Sequence, residues 1–124
     1  MNVILWIATG LLAAVFLAAG GMKLRKSQSE LVESGQGWAG DLPAGLVKFI
    51  GAAEVVGAIG LILPGGSHIA TWLVPTAAIG LAIVMVGAII THLRRTEFPN
   101  VIVNLVLLAL ATFVAIGRLG PYTL

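Results

Sequence analysis

Four runs of apolar residues, at about positions 3–22, 46–63, 71–91 and 99–117, take up most of this 124-residue chain. Crossing the hydrocarbon of a bilayer takes roughly 20 residues at 1.5 Å each. Backbone polar groups at that depth must be satisfied within their own segment, so such runs span as helices. Four of them joined by short connections predict an all-α, integral membrane four-helix bundle forming one transmembrane domain over residues 1–124. Composition excludes the soluble alternative. The chain is 59% hydrophobic and 10% charged, with mean hydropathy +1.07, whereas a soluble domain is nearer half apolar and a quarter charged.

The first run ends in Lys23, Arg25 and Lys26. A cleaved leader has its positive residues before a shorter apolar core, so this segment is expected to remain as the first helix. Gly10, Ala14 and Ala18 line up one small-residue face, suited to close packing. That face is expected to pack helix one against helix two or four within the bundle, its alternative use being a contact between protomers. The polar connection 23–45 begins with Ser27 and Glu30 at capping-box spacing, which predicts a short interfacial helix. Trp38 is expected in the headgroup belt rather than in a binding site. Pro64, Gly65 and Gly66 are expected to stop the second helix, Pro75 falls in the first turns of the third, and Arg118 is placed just beyond the fourth.

Lys and Arg in short loops set orientation. The first and third connections hold Lys23, Arg25, Lys26, Arg94 and Arg95, with Lys48 at the edge of the first, while the second connection holds none. Both long connections are therefore expected in the cytoplasm and both termini outside it. On this topology Glu54, six residues past Lys48, lies about 9 Å deeper into the bilayer. Lys23, Lys48, Glu54, His92 and Asn104 all fall in the cytoplasmic half. They are the candidate ligand-binding residues of one pocket open to that side.

Each has a plainer reading. Lys23 and Lys48 suit snorkelling anchors, His92 by position alone is interfacial, and Asn104 suits a hydrogen bond to a neighbouring helix. Glu54 is too short to snorkel from its depth. A membrane carboxylate normally meets a partner or a water-filled cavity, which leaves two readings: a structural pair with Lys23 or Asn104, or a ligand or proton site. The outer half offers only Thr9, Thr71, Thr76 and Thr112, which can bond to their own helix backbone.

Several chemistries drop out. The chain has no cysteine, hence no disulfide exchange and no thiolate metal site. His68 and His92 are expected on opposite sides of the membrane, so no metal site is expected, and bis-His haem finds only His92 suitably placed. No phosphate loop, Ser-His-Asp set or H-x-x-x-H pair appears, and the few charges give no basis for nucleic-acid binding.

The lysine in GGMKL, the block FIGAAEVVGAIGLILP and the exit MVGAIITHLRR with its following proline resemble the DoxX-like family of small four-helix bacterial membrane proteins. That family takes its name from a subunit associated with a thiosulfate:quinone oxidoreductase. The layout is also similar to sterol-isomerase-like four-helix proteins, which hold hydrophobic or amine ligands with acidic residues. The resemblance implies Glu54 as pocket acid with Lys23 and His92 as its partners. It also implies the bacterial inner membrane, a bound quinone or lipid in place of a resident cofactor, and a redox partner protein. With the small-residue stripe used inside the bundle, a small homo-oligomer is expected to assemble through other lipid-facing surfaces. One membrane acid instead of several argues against isomerisation. The alternative function is a proton-coupled small transporter or a lipid- or drug-binding protein working as an oligomer. A transporter of the small multidrug type would carry its acid in the first helix, not the second.

Overall fold

The computed structural model describes residues 1–124 as five α-helices and a 3-10 turn. They are α1 (Asn2–Arg25), α2 (Gln28–Glu33), the turn Gly37–Asp41, α3 (Ala44–Ser67), α4 (Leu73–Arg94) and α5 (Phe98–Leu119). Helices α1, α3, α4 and α5 are long and apolar enough to span a membrane, and they form a four-helix bundle. Helix α1 packs most closely on α3, and α4 on α5, with α3–α4 and α1–α5 seams closing the ring.

Each long helix keeps a narrow inward stripe. On α1 it is Leu5, Ala8, Leu12, Ala13, Phe16 and Gly20, at the three- and four-residue spacing of a helix face. The opposite faces are apolar as well: Val3, Phe49, Val56 and Ile83 are each about two-thirds exposed. Water does not favour a surface of this kind over every face of a bundle; lipid does. The chain is a small multi-pass membrane protein.

The close α1–α3 contact is made by glycines, though not by the expected stripe. A Cβ on Gly20 would meet the Gly51 carbonyl oxygen at 2.6 Å, and one on Gly51 would meet the Gly20 carbonyl oxygen at 3.0 Å. Gly10, Ala14 and Ala18 instead face outward, and nothing lies within 4 Å of a Cβ built on Gly10. The expectation that they pack the bundle is corrected. The inward face of α1 is fixed by its larger residues, Leu5, Leu12 and Phe16, and the stripe falls on the other side.

The helix ends also differ from expectation. Helix α3 runs through Pro64, Gly65 and Gly66 to Ser67, and His68 closes it in the left-handed region at φ 59°. In apolar surroundings a continued helix keeps backbone groups paired, and Ser67 Oγ helps by donating to the Leu63 carbonyl at 2.7 Å. Arg118 lies inside α5 and is buried. Its Nη1 donates to Asn2 Oδ1 at 2.6 Å and to the Tyr122 carbonyl at 3.0 Å, and its guanidinium lies 5.5 Å from the Trp6 ring centre. Thr9, Thr76 and Thr112 each donate to the carbonyl four residues back, as expected, whereas Thr71 Oγ1 donates to the Leu124 carbonyl at 3.5 Å. The interfacial helix is α2. Ser27 Oγ accepts from Glu30 N at 3.2 Å and Ser27 N donates to Glu30 Oε1 at 3.1 Å; that bond holds the exposed Glu30 carboxyl below its ordinary pKa.

These placements separate two substitutions on α1. Gly20→Leu should destabilise the bundle by about 1–3 kcal/mol, the usual cost of overpacking. Ala14→Leu should change monomer stability by no more than about 0.5 kcal/mol. Unfolding in detergent measures both, and a loosened Ala14→Leu bundle would contradict the outward placement of the stripe.

Candidate functional site

The ends of α1 and α4 and the starts of α3 and α5 enclose a cavity of about 470 Å³. It lies at the bundle end that carries the basic connections. Its apolar wall includes Phe16, Ile50, Met85 and Leu107, and its polar groups include Lys23, Glu54, His92 and Asn104. Four of the five candidate residues therefore meet at one cavity.

At its floor Lys23 Nζ donates to Glu54 Oε1 at 2.6 Å. The side chains are only 10% and 3% exposed, so this is a buried ion pair rather than a surface one. Local packing sets the contact. The crossing at Gly20 and Gly51 brings the antiparallel α1 and α3 backbones together: a Cβ on Gly51 would meet Lys23 Cβ at 2.8 Å, and one on Gly20 would meet Glu54 Cβ at 3.0 Å. The two side chains, each tilted toward the N-terminus of its own helix, lean toward one another. The face of Trp38 covers the ammonium, 5.5 Å from Nζ to the ring centre, an arrangement that attracts a cation to the ring. Trp38 is buried and lines the cavity, contrary to the expected belt position. The turn Gly37–Asp41 folds it inward, and Gln28 secures that turn by donating to the Ala39 and Leu42 carbonyls at 2.7 Å each.

His92 is buried beside the pair, with its ring edge-to-face on Trp38 at 6.4 Å. Its Nδ1 lies 2.9 Å from Glu97 Oε1. A carboxylate only accepts, so Nδ1 is the donor of this bond. The hydrogen bond from His92 and the nearby Arg95 charge hold Glu97 below the ordinary carboxylate pKa. Arg95 completes a clasp: Nε donates to Glu97 Oε1 at 3.2 Å, and Nη1 donates to the Asp41 carboxylate. That bond to Asp41 raises the Arg95 pKa further above its ordinary value. The clasp ties the connection before α3 to the turn between α4 and α5.

Asn104 is 9% exposed and lines the cavity, yet its amide nitrogen has no hydrogen-bond partner. It does not reach Glu54, whose one partner is Lys23. Lys48 is the one candidate the structure takes out of the site. Its Nζ donates to the carbonyls of Lys23 at 2.8 Å, Leu24 at 3.0 Å and Lys26. The reason is the unsatisfied C-terminal carbonyls of α1, which attract a cation more strongly than the cavity does. Lys48 is a helix cap.

Reading the sequence missed Trp38, Glu97 and Asn100. Asn100 and Asn104, four apart, sit on one face of α5 and both line the cavity; that spacing was a usable signal. Glu97 follows His92 across a turn in which Thr96 takes φ 56°, and Trp38 reaches the site through an irregular connection. Neither arrangement has a periodic signature.

A family model described as the DoxX-like family matches residues 7–114. No curated protein and no solved structure matches the chain. The match takes in most of all four membrane helices and every residue of the cavity, and the chain belongs to the DoxX-like family.

Glu54→Gln should leave Lys23 buried without a counter-charge and cost about 3–5 kcal/mol, as broken buried pairs do. Replacing both, as Lys23→Met with Glu54→Leu, should recover much of that loss. Unfolding midpoints of the wild type and the two variants in one detergent decide the matter. A Glu54→Gln protein as stable as wild type would contradict a pair that holds the bundle.

Proposed function

We propose that this member of the DoxX-like family binds a hydrophobic ligand, a quinone or a lipid, in the cavity between its helices, and acts as an accessory subunit of redox metabolism in the bacterial inner membrane. The observation that carries this reading is the cavity itself. Its volume of about 470 Å³ falls in the range of small-molecule sites, and its walls are largely apolar with a few convergent polar groups. A bundle whose polar residues served packing alone would leave no such space around them.

The positive residues in the long connections support a cytoplasmic opening for the cavity, with both termini on the other side. The outward Gly10–Ala14–Ala18 face supports assembly of two copies along α1 into a homo-oligomer. A redox partner would have to supply electrons, because the chain has no cysteine and a single well-placed histidine. The proton-coupled transporter has less support. An exchanging acid alternates between proton and cargo, whereas Glu54 is already bound to Lys23 at 2.6 Å.

Native mass spectrometry after gentle extraction tests the binding. A quinone or neutral lipid should accompany the wild-type protein and be lost from Ala88→Phe, which fills the cavity; equal occupancy in the two would contradict the site. A C-terminal alkaline phosphatase fusion tests the orientation. Activity is expected, and an inactive fusion in a well-expressed protein would reverse the topology.

A further inference from the structure

Resting on the reading of the cavity as a ligand site, we infer that its ligand is uncharged and is held through a carbonyl-type oxygen by the amide of Asn104. Two observations carry the inference independently. The first is charge balance. Lys23 and Glu54 both line the cavity and neutralise one another at 2.6 Å, and each is more than nine-tenths buried. An anion drawn to Lys23 would strip Glu54 of its partner, and a cation drawn to Glu54 would strip Lys23. Either event leaves a buried charge uncompensated, which is strongly unfavourable. Trp38 lies over the ammonium and further limits its availability. A neutral ligand disturbs none of this.

The second observation is Asn104. Buried amide donors in folded proteins are almost always paired, and this one is not, although it is nine-tenths buried on the cavity wall. No acceptor of the chain reaches it: Glu54 bonds to Lys23 and Thr91 to the Gly87 carbonyl, and neither bonds to the Asn104 amide. An amide NH₂ requires an acceptor, and a carbonyl oxygen on an apolar body supplies one at no cost in charge. Two sources offer that chemistry: a quinone ring, and the ester of an uncharged glycerolipid.

The test uses the full-length protein in nanodiscs, with affinity taken from the dependence of the unfolding midpoint on probe concentration. The probes are a short-chain benzoquinone, monooleoylglycerol, oleate and tetraphenylphosphonium. At least one of the two neutral carbonyl probes should bind saturably, and which one does so separates the sources. Oleate and tetraphenylphosphonium should bind at least tenfold more weakly. Asn104→Leu should weaken the neutral probe by about tenfold, the range of one hydrogen bond. The same variant without any probe should unfold no earlier than wild type, because it removes an unpaired buried donor. A structural asparagine would behave the opposite way, so a destabilised Asn104→Leu overturns the inference, as does unchanged affinity or preference for a charged probe. Those three results leave the cavity reading standing if Ala88→Phe, or independently Thr91→Phe, abolishes binding of the preferred probe. If no probe binds, or if both filling variants bind as wild type does, the cavity is not the site and both proposals fall.

Discussion

The contact between Lys23 Nζ and Glu54 Oε1 is the point on which the rest of this bundle depends. Placing a carboxylate inside the hydrocarbon costs on the order of 2.5–3.5 kcal/mol on insertion scales, and a buried ammonium costs a comparable amount. Neither residue is tolerable alone, so the fold must bring them together. It does so through the mutual approach of Gly20 and Gly51, where a side chain on either would strike the other's carbonyl oxygen. The glycines let the backbones touch, the touching backbones close the ion pair, and the ion pair fixes the register of α1 on α3. Replacing it by apolar residues need not weaken the bundle. What the pair contributes is a defined polar floor for an otherwise greasy cavity.

The two ends of the bundle use charge differently. At the basic end, the charges around the cavity are paired: Lys23 with Glu54, and Arg95 with Asp41 and Glu97. Glu97 in turn accepts from His92 Nδ1, so the clasp orients a buried ring through one carboxylate. At the other end Arg118 has no carboxylate and relies on Asn2, the Tyr122 carbonyl and the face of Trp6. The cavity lies beside the Lys23–Glu54 pair, so its floor presents no bare ion.

The membrane helices were legible because their signal is composition sustained over many residues, and the bilayer leaves few alternatives for such runs. Glu54 and Lys23 were legible for a related reason: a charge in an apolar run stands out and requires a partner. The face of α1 was misread because small residues mark a possible contact without marking which side of the helix faces inward. Bulk decides that, and Leu5, Leu12 and Phe16 outweighed Gly10, Ala14 and Ala18. Pro64 was misread because helix-breaking chemistry is a rule for water, where freed backbone groups find other partners. Lys48 was placed by depth alone, and depth says nothing about the carbonyls at the end of α1 that claimed it. Trp38 and Glu97 depend on irregular backbone, which carries no period to read.

A direct distance across the ion pair tests the central claim. With Lys23 labelled at Nζ and Glu54 at Cδ, rotational-echo solid-state NMR on the protein in lipid bilayers reports the dipolar coupling between the two nuclei. The 2.6 Å nitrogen–oxygen contact predicts strong, rapid dephasing from a single short distance. Absence of dephasing, with the protein folded, would mean that the acid and the base do not meet in the membrane. The account of the cavity built upon them would then be wrong.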